Sequence, residues 1–158
     1  MQAMGKDELR REVLEDMRAL STADHFMDEA AARVLGIHTT DLHAGEVLQR
    51  SGAMTISELA RAVRLSPGAA TALVDRLEAA GLATRAPHST SRRQILVKPS
   101  RQASRRVYSV FGGLIEKGDK FLDRYSEQEL LAIRDFLREA RTMFIEHADT
   151  LGDRRPPD

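Results

Sequence analysis

The chain has 158 residues, a length typical of one compact domain. Apolar residues make up 42% and charged residues 30%, which allows a hydrophobic core and excludes a disordered composition. The absence of cysteine excludes disulfides, thiolate metal sites and cysteine-based redox sensing. No apolar stretch approaches the roughly 20 residues of a membrane span, and residues 1–9 lack the apolar region of a secretory signal. We therefore expect a soluble, cytoplasmic protein with no membrane partner.

The 24 basic and 24 acidic side chains cancel overall but are unevenly distributed. The net charge is −3 over residues 1–40 and over 126–158, and +3 over 41–98 and over 99–125. Residues 83–98 carry only positive charge, which suits contact with phosphate. On charge alone, a solvated basic face is the alternative.

Both ends of the chain have the apolar spacing of long helices. The apolar spacing predicts one helix over residues 7–35. The alternative is a break in this helix near Ser21-Thr22. The pattern returns over residues 100–148. Within it, Gly112-Gly113 predict either a bend or the close approach of another backbone or a ligand, because glycine is unfavourable inside a helix. Residues 149–158 are expected to form a flexible tail.

Three shorter helices are predicted in the centre from their start and stop signals. Residues 39–41 begin the first, and the capping box of residues 55–58 begins the second. The third begins at Ser66-Pro67 and ends at Gly81, with serine as the N-cap and proline at the first helical position. Its apolar face consists of Ala70, Leu73, Val74 and Leu77, and its opposite face of Gly68, Thr71, Ala72, Asp75 and Arg76.

A β-hairpin with a basic tip is predicted directly after the third helix, from residues 82–86 and 94–98. Two short helices followed by such a hairpin are typical of a winged helix-turn-helix. The small residues at the start of the third helix suit a major groove about 12 Å wide. A plain helical hairpin in an all-α domain is the alternative, which the hairpin and its basic tip disfavour. We predict a mainly α fold with a small β-hairpin wing.

Residues 39–42, residues 65–82 and the arginines Arg92 and Arg93 are the part of the sequence most typical of a known family. On these residues the chain resembles the MarR family of bacterial transcription regulators. The similarity extends in element order from about residue 7 to residue 148.

This resemblance implies a single winged-helix regulator domain over residues 1–158 that forms a homodimer. Its dimerisation helices would be residues 7–35 and 100–148, and its DNA-binding lobe residues 41–98, with the wing at 83–98. Two such lobes would recognise a pseudopalindromic operator, most often as a repressor. A small aromatic or anionic effector would release the DNA.

The resemblance and the predicted helix faces together indicate the residues that contact double-stranded DNA. Thr71 and its small neighbours are expected at base edges, and Ser66 and Arg76 at the DNA backbone. Arg92 and Arg93 are expected at phosphate or in the adjacent minor groove. The full set is Ser66, Gly68, Ala69, Thr71, Ala72, Arg76, Arg85, Arg92 and Arg93.

Effector-binding candidates are Phe26, Met27, His38 and His43, which flank the junction between the first helix and the DNA-binding lobe. Packing is the alternative role for each. His38, Asp41 and His43 also lie within six residues, as metal ligands or an acid-base pair would. Since Asp41 is expected in the first turn of a helix, where its charge favours the helix dipole, we predict no enzyme, no cofactor and no metal site.

One further alternative is a winged helix that binds only another protein. Such a module would use the same surface but would show no steep salt dependence of DNA affinity.

Overall fold

The computed structural model describes residues 5–87 and 94–152. This part of the chain is mostly helical with a small antiparallel sheet, which confirms the predicted fold class. The elements in chain order are α1 (Lys6–Leu35), α2 (Thr39–Ser51), β1 (Met54–Thr55), α3 (Ile56–Ala62), α4 (Pro67–Ala79), β2 (Ala83–Pro87), β3 (Ile95–Pro99), α5 (Ala103–Leu122) and α6 (Glu127–Gly152). The chain forms two compact units, the first ending at Gly112 and the second beginning at Gly113.

Helix α1 is continuous, so the break considered at Ser21-Thr22 does not occur. The Thr22 hydroxyl donates a 3.1 Å hydrogen bond to the carbonyl of Arg18, one turn earlier, and is thereby satisfied within the helix. Gly36 ends α1 with a φ of 70°, a left-handed conformation that glycine adopts without steric cost.

Local capping begins the central helices as the sequence predicts. The Thr55 hydroxyl accepts from the amide of Glu58 at 3.2 Å, and the Glu58 carboxylate accepts from the amide of Thr55 at 2.7 Å. Ser66 caps α4 by accepting from the amide of Ala69 at 3.3 Å, with Pro67 at the first helical position. Helix α2 begins at Thr39, within the predicted start, and its N-cap is His38.

The core of the first unit lies between α2, α3, α4 and the sheet. Apolar side chains from each element meet there and are at most 1% exposed: Leu48, Leu59, Leu73, Val74, Leu77 and Val97. These contacts fix α4 against α3 through its apolar face. The opposite face of α4 therefore points away from the core.

The sheet has the strand order β1-β3-β2, with both pairs antiparallel. The β2 and β3 pairing confirms the predicted hairpin, with Arg85 opposite Val97. Strand β1 adds Met54 opposite Val97 from the other side. The sequence did not predict β1, because two residues are too short for an alternating pattern.

Helix α5 passes through Gly112-Gly113 without a break. The close approach at this point is made by a side chain of the same helix. A Cβ on Gly112 would lie 3.0 Å from the Tyr108 ring, one turn earlier. Glycine at this position therefore makes room for the aromatic ring.

The second unit consists of the end of α5 and all of α6. Ser126 begins α6, where its hydroxyl accepts from the amide of Glu129 at 3.3 Å and the Glu129 carboxylate accepts from the amide of Ser126 at 2.8 Å. Hydrogen bonds from Ser126 lower the pKa of Glu129. In the ranges that the structure describes, no helix is both long and apolar enough to cross a lipid bilayer.

Candidate nucleic-acid interface

The exposed side of helix α4 has small side chains along its N-terminal half. Gly68, Ala69, Thr71 and Ala72 are all exposed there, while Ala70 and Leu73 between them are buried. We call these four exposed residues the slim face. The geometry agrees with the helical spacing in the sequence, and a helix with so little side-chain bulk can approach another surface closely.

Thr71 and Ser66 are the hydroxyl-bearing residues at this end of α4. The Thr71 hydroxyl donates to the carbonyl of Pro67 at 3.0 Å, so its proton is engaged while its acceptor sites and methyl group remain for a partner. The Ser66 hydroxyl accepts from the amide of Ala69 and still has its own proton to donate. Thr71 therefore suits a donor or an apolar group, and Ser66 suits an acceptor such as phosphate.

Arg76 forms a bidentate ion pair with Asp41, which lies 35 residues earlier in α2. Its Nε donates to Oδ2 at 2.8 Å and its Nη2 to Oδ1 at 2.6 Å. The Asp41 side chain is 0% exposed and that of Arg76 is 43% exposed. Asp41 Oδ2 also accepts from the amide of His38 at 3.3 Å. The hydrogen bond to Asp41 raises the pKa of Arg76, and this pair ties α2 to α4.

Arg85 on β2 forms ion pairs with two carboxylates of α4. One guanidinium nitrogen donates to Asp75 at 2.6 Å and the other to Glu78, whose second oxygen accepts from the Arg85 amide at 2.7 Å. Burial acts to lower the pKa of Arg85, but the hydrogen bonds to Asp75 and Glu78 outweigh it and raise the pKa. Two of the predicted DNA-binding arginines are therefore already paired within the protein.

The wing arginines Arg92 and Arg93 lie outside the described residues. Arg61, which no sequence motif singled out, is an exposed residue of α3 that lines a groove of about 420 Å³ between α3 and the start of β3. Among residues 5–87 and 94–152, Arg61 has no ion-pair partner. Its position just before the turn between α3 and α4 was the available signal, and it adds an exposed positive charge to this side of the lobe.

The four candidate effector residues lie at separate places in the first unit. Met27 packs against the buried cluster of Ala31, Leu35 and Leu42, whereas Phe26 is 63% exposed. His38 lines a cavity of about 470 Å³, and His43 lines another of about 300 Å³. A single pocket formed by all four side chains is therefore not what the structure contains.

The cavity beside His38 has two arginines in its wall. One is Arg76 with its partner Asp41, and the other is Arg106 from α5. Arg106 donates to the carbonyl of Ala80 and, at 3.2 Å, to that of Leu35. The cavity therefore combines positive charge with an apolar edge.

The cavity beside His43 has one acid, Glu46, and two arginines, Arg50 and Arg64, in its wall. His43 Nε2 lies 2.8 Å from Asp28 Oδ2, which joins α2 to α1. Partial burial raises the pKa of Glu46 above 4.5, Asp28 and Asp24 add to the rise, and His43 and Arg50 oppose it. In the described part of the chain, no three His, Cys, Asp or Glu side chains come together to hold a metal ion.

Replacing Glu46 by glutamine is expected to stabilise the protein at pH 7 and to have little effect near pH 4. Because the pKa of Glu46 is raised in the folded state, folding favours its neutral carboxyl. This contribution to the free energy of unfolding is fully present below the ordinary pKa of 4.5 and is lost as the pH rises through the folded-state pKa. Glutamine stays neutral throughout. Urea unfolding of both proteins at the two pH values measures the difference.

Glu129→Gln is the control, because the lowered pKa of Glu129 gives the opposite sign. This variant should lose stability at pH 7, and the loss should vanish as the pH falls through the folded-state pKa of Glu129. If Glu46→Gln gave the same change at both pH values, the carboxyl charge would not be its cause.

Comparisons with known proteins agree on one family. The model of the MarR family matches residues 46–95. The HTH-type transcriptional regulator YcgE of Bacillus subtilis is 33% identical over 146 residues, which cover 92% of this chain and 95% of that protein.

Two solved structures illustrate the shared fold. RV1404 from Mycobacterium tuberculosis has a TM-score of 0.61 at 24% identity, covering 92% of this chain and 96% of that chain. The multiple antibiotic-resistance repressor MarR from Listeria monocytogenes has a TM-score of 0.60 at 15% identity, covering 90% and 99%. Similarity at these identities establishes the fold.

Proposed function

Since the chain belongs to the MarR family and is a DNA-binding transcription regulator, we propose that it represses transcription as a homodimer on a pseudopalindromic operator in the cytoplasm. The observation that carries this proposal is the slim face of α4. It is exposed at the N-terminal half of the second helix of a helix-turn-helix, beside a wing. This is the part of such a motif that enters the major groove.

The residues proposed to contact DNA divide into two kinds. Thr71 and its neighbours on the slim face meet base edges, while the Ser66 hydroxyl and Arg61 meet the backbone. Arg92 and Arg93 of the wing are proposed to contact phosphate or the adjacent minor groove.

The homodimer is proposed from apolar faces that each unit leaves exposed. On α1, Leu9 and Leu20 are 49% and 63% exposed, and on α6, Leu137 and Phe144 are 52% and 55% exposed. Exposed apolar side chains aligned along a helix mark a surface for association. A second copy of the chain also supplies a second recognition helix, which would bind the other half-site about 34 Å from the first.

A small aromatic acid is the proposed effector, at the cavity that His38, Arg76 and Arg106 line. A carboxylate there would meet the Arg106 guanidinium, which binds backbone carbonyls and, among the described residues, no carboxylate. Aromatic acids are expected to lower operator affinity, by tenfold for each 1.4 kcal/mol of preference for the DNA-free form. Titration of the protein–operator complex with a panel of such acids measures this effect. A panel without any effect would indicate a constitutive binder.

Selection of bound DNA from a random pool, repeated at two salt concentrations, tests the proposed function. We expect a pseudopalindromic sequence and an affinity that falls steeply with salt, since phosphate contacts release counterions. No enriched sequence and a shallow salt dependence would favour the protein-interaction module instead.

Thr71→Ala and Arg92→Ala are expected to weaken DNA binding in different ways. Thr71→Ala should flatten the preference at one base position in each half-site by about 1 kcal/mol, with little change in salt dependence. Arg92→Ala should weaken binding to all sequences and reduce the salt slope by about one unit. Binding to a panel of operator variants at several salt concentrations measures both effects.

Thr71→Val is the matched control, because it keeps a methyl group and removes the hydroxyl. Equal loss in the valine and alanine variants would assign the contact to the hydroxyl. If Arg92→Ala changed the selected sequence and Thr71→Ala did not, sequence preference would lie in the wing.

A further inference from the structure

Helix α4 carries two negative charges close to its slim face. Asp75 follows Thr71 by one helical turn, and its side chain is 62% exposed. Glu78 lies a further three residues along the helix. Carboxylates near a surface that approaches DNA repel its phosphates, so these charges would oppose binding unless they are neutralised.

Arg85 on the adjacent strand β2 binds both carboxylates and offsets one of their two negative charges. Its two terminal nitrogens bind different acids, one at Asp75 and one at Glu78, and its side chain is only 25% exposed. A third bond joins the Arg85 amide to Glu78 at 2.7 Å. The guanidinium is therefore directed toward α4, with its charge already matched.

We propose that Arg85 is a positioning residue, which fastens strand β2 of the wing to the DNA-recognition helix and offsets one of the two negative charges of Asp75 and Glu78, and that it does not contact phosphate. This inference rests on the proposed function and revises the role predicted for Arg85 from the sequence.

The same contact holds strand β2 in place against α4. Strand β2 ends at Pro87, directly before residues 88–93 in the sequence. Because three hydrogen bonds hold Arg85 to α4, the position of β2 is fixed relative to the slim face.

A set of variants separates this role from a phosphate contact. Arg85→Ala is compared with Asp75→Asn/Glu78→Gln and with the triple variant that combines all three changes. Arg85→Lys keeps the charge without the two-pronged geometry. Arg105→Ala is the control, because Arg105 is exposed on α5 and has no ion-pair partner in the described ranges. Operator affinity, salt slope and melting temperature are measured for each.

We expect Arg85→Ala to weaken operator binding about tenfold with an unchanged salt slope. The triple variant should return to within about threefold of wild type, because it has no uncompensated carboxylate. Arg85→Lys should lie between wild type and Arg85→Ala, and Arg105→Ala should match wild type. A salt slope reduced by about one unit in Arg85→Ala, with no recovery in the triple variant, would show that Arg85 contacts phosphate.

Melting temperatures decide the matter independently of DNA. The triple variant should lose less than the sum of the losses in Arg85→Ala and in the double variant, because one set of contacts is removed in each. Additive losses would overturn the proposed contact. A wild-type protein without operator preference would instead refute the proposed function, while the melting data would still test the role of Arg85.

Discussion

Leu137→Glu is expected to dissociate the homodimer and to lower operator affinity at least about 100-fold. Leu137 lies on α6 in an apolar stripe with Ile133 and Phe144, and it is 52% exposed. In the proposed dimer this stripe is covered, and burying an unpaired carboxylate costs several kcal/mol. A monomer binds each half-site separately and loses the gain from linking two sites, which is about 100-fold or more.

Thr142→Glu is the matched control, because it adds the same charge on the opposite side of α6. Light scattering after size-exclusion chromatography gives the oligomeric state, and titration with operator DNA gives the affinity. We expect Thr142→Glu to remain a dimer with wild-type affinity. A Leu137→Glu protein that stays dimeric would place the interface elsewhere.

Arg76→Met is expected to destabilise the protein by about 3–5 kcal/mol, the usual cost of leaving a buried charge without its partner. The Asp41 side chain is 0% exposed, and the Arg76 guanidinium donates a hydrogen bond to each of its carboxylate oxygens. The methionine keeps the length of the side chain and removes the charge. Urea unfolding at fixed protomer concentration measures the loss, because a dimer's stability depends on its concentration.

Arg76→Met/Asp41→Asn separates the buried charge from the packing of the side chains. The double variant has no buried carboxylate, so we expect it to regain a large part of the stability that Arg76→Met loses. If the single variant lost less than about 1 kcal/mol, Asp41 would have found another partner or water.

The helix starts of the DNA-binding lobe could be predicted because their signals are local. The capping box of Thr55 and Glu58 and the Ser66 cap each involve residues three apart. The same holds for the slim face, which follows from helical periodicity alone. Strand β1 has no such signal, because it exists only through its pairing with β3.

The roles of the arginines could not be predicted in the same way. Arg76 meets Asp41 across 35 residues, and Arg85 meets Asp75 across 10. Such partners come together only when the core has formed, so charge counting over residues 83–98 missed the two acids of α4 that face Arg85. The effector candidates could not be grouped correctly from the sequence either. His38 is the N-cap of α2 and His43 lies within the helix, and the two side chains line different cavities.

The hydrogen bond between the Arg85 amide and Glu78 also protects an open sheet edge. Within residues 5–87 and 94–152, strand β2 pairs only with β3, so its other side presents backbone groups to which a foreign strand could add. On that side the Arg85 amide is occupied by Glu78, and Pro87, two residues further, has no amide proton to offer. A strand that approached this edge would lack donors at both positions. The wing is thereby guarded against edge-to-edge aggregation.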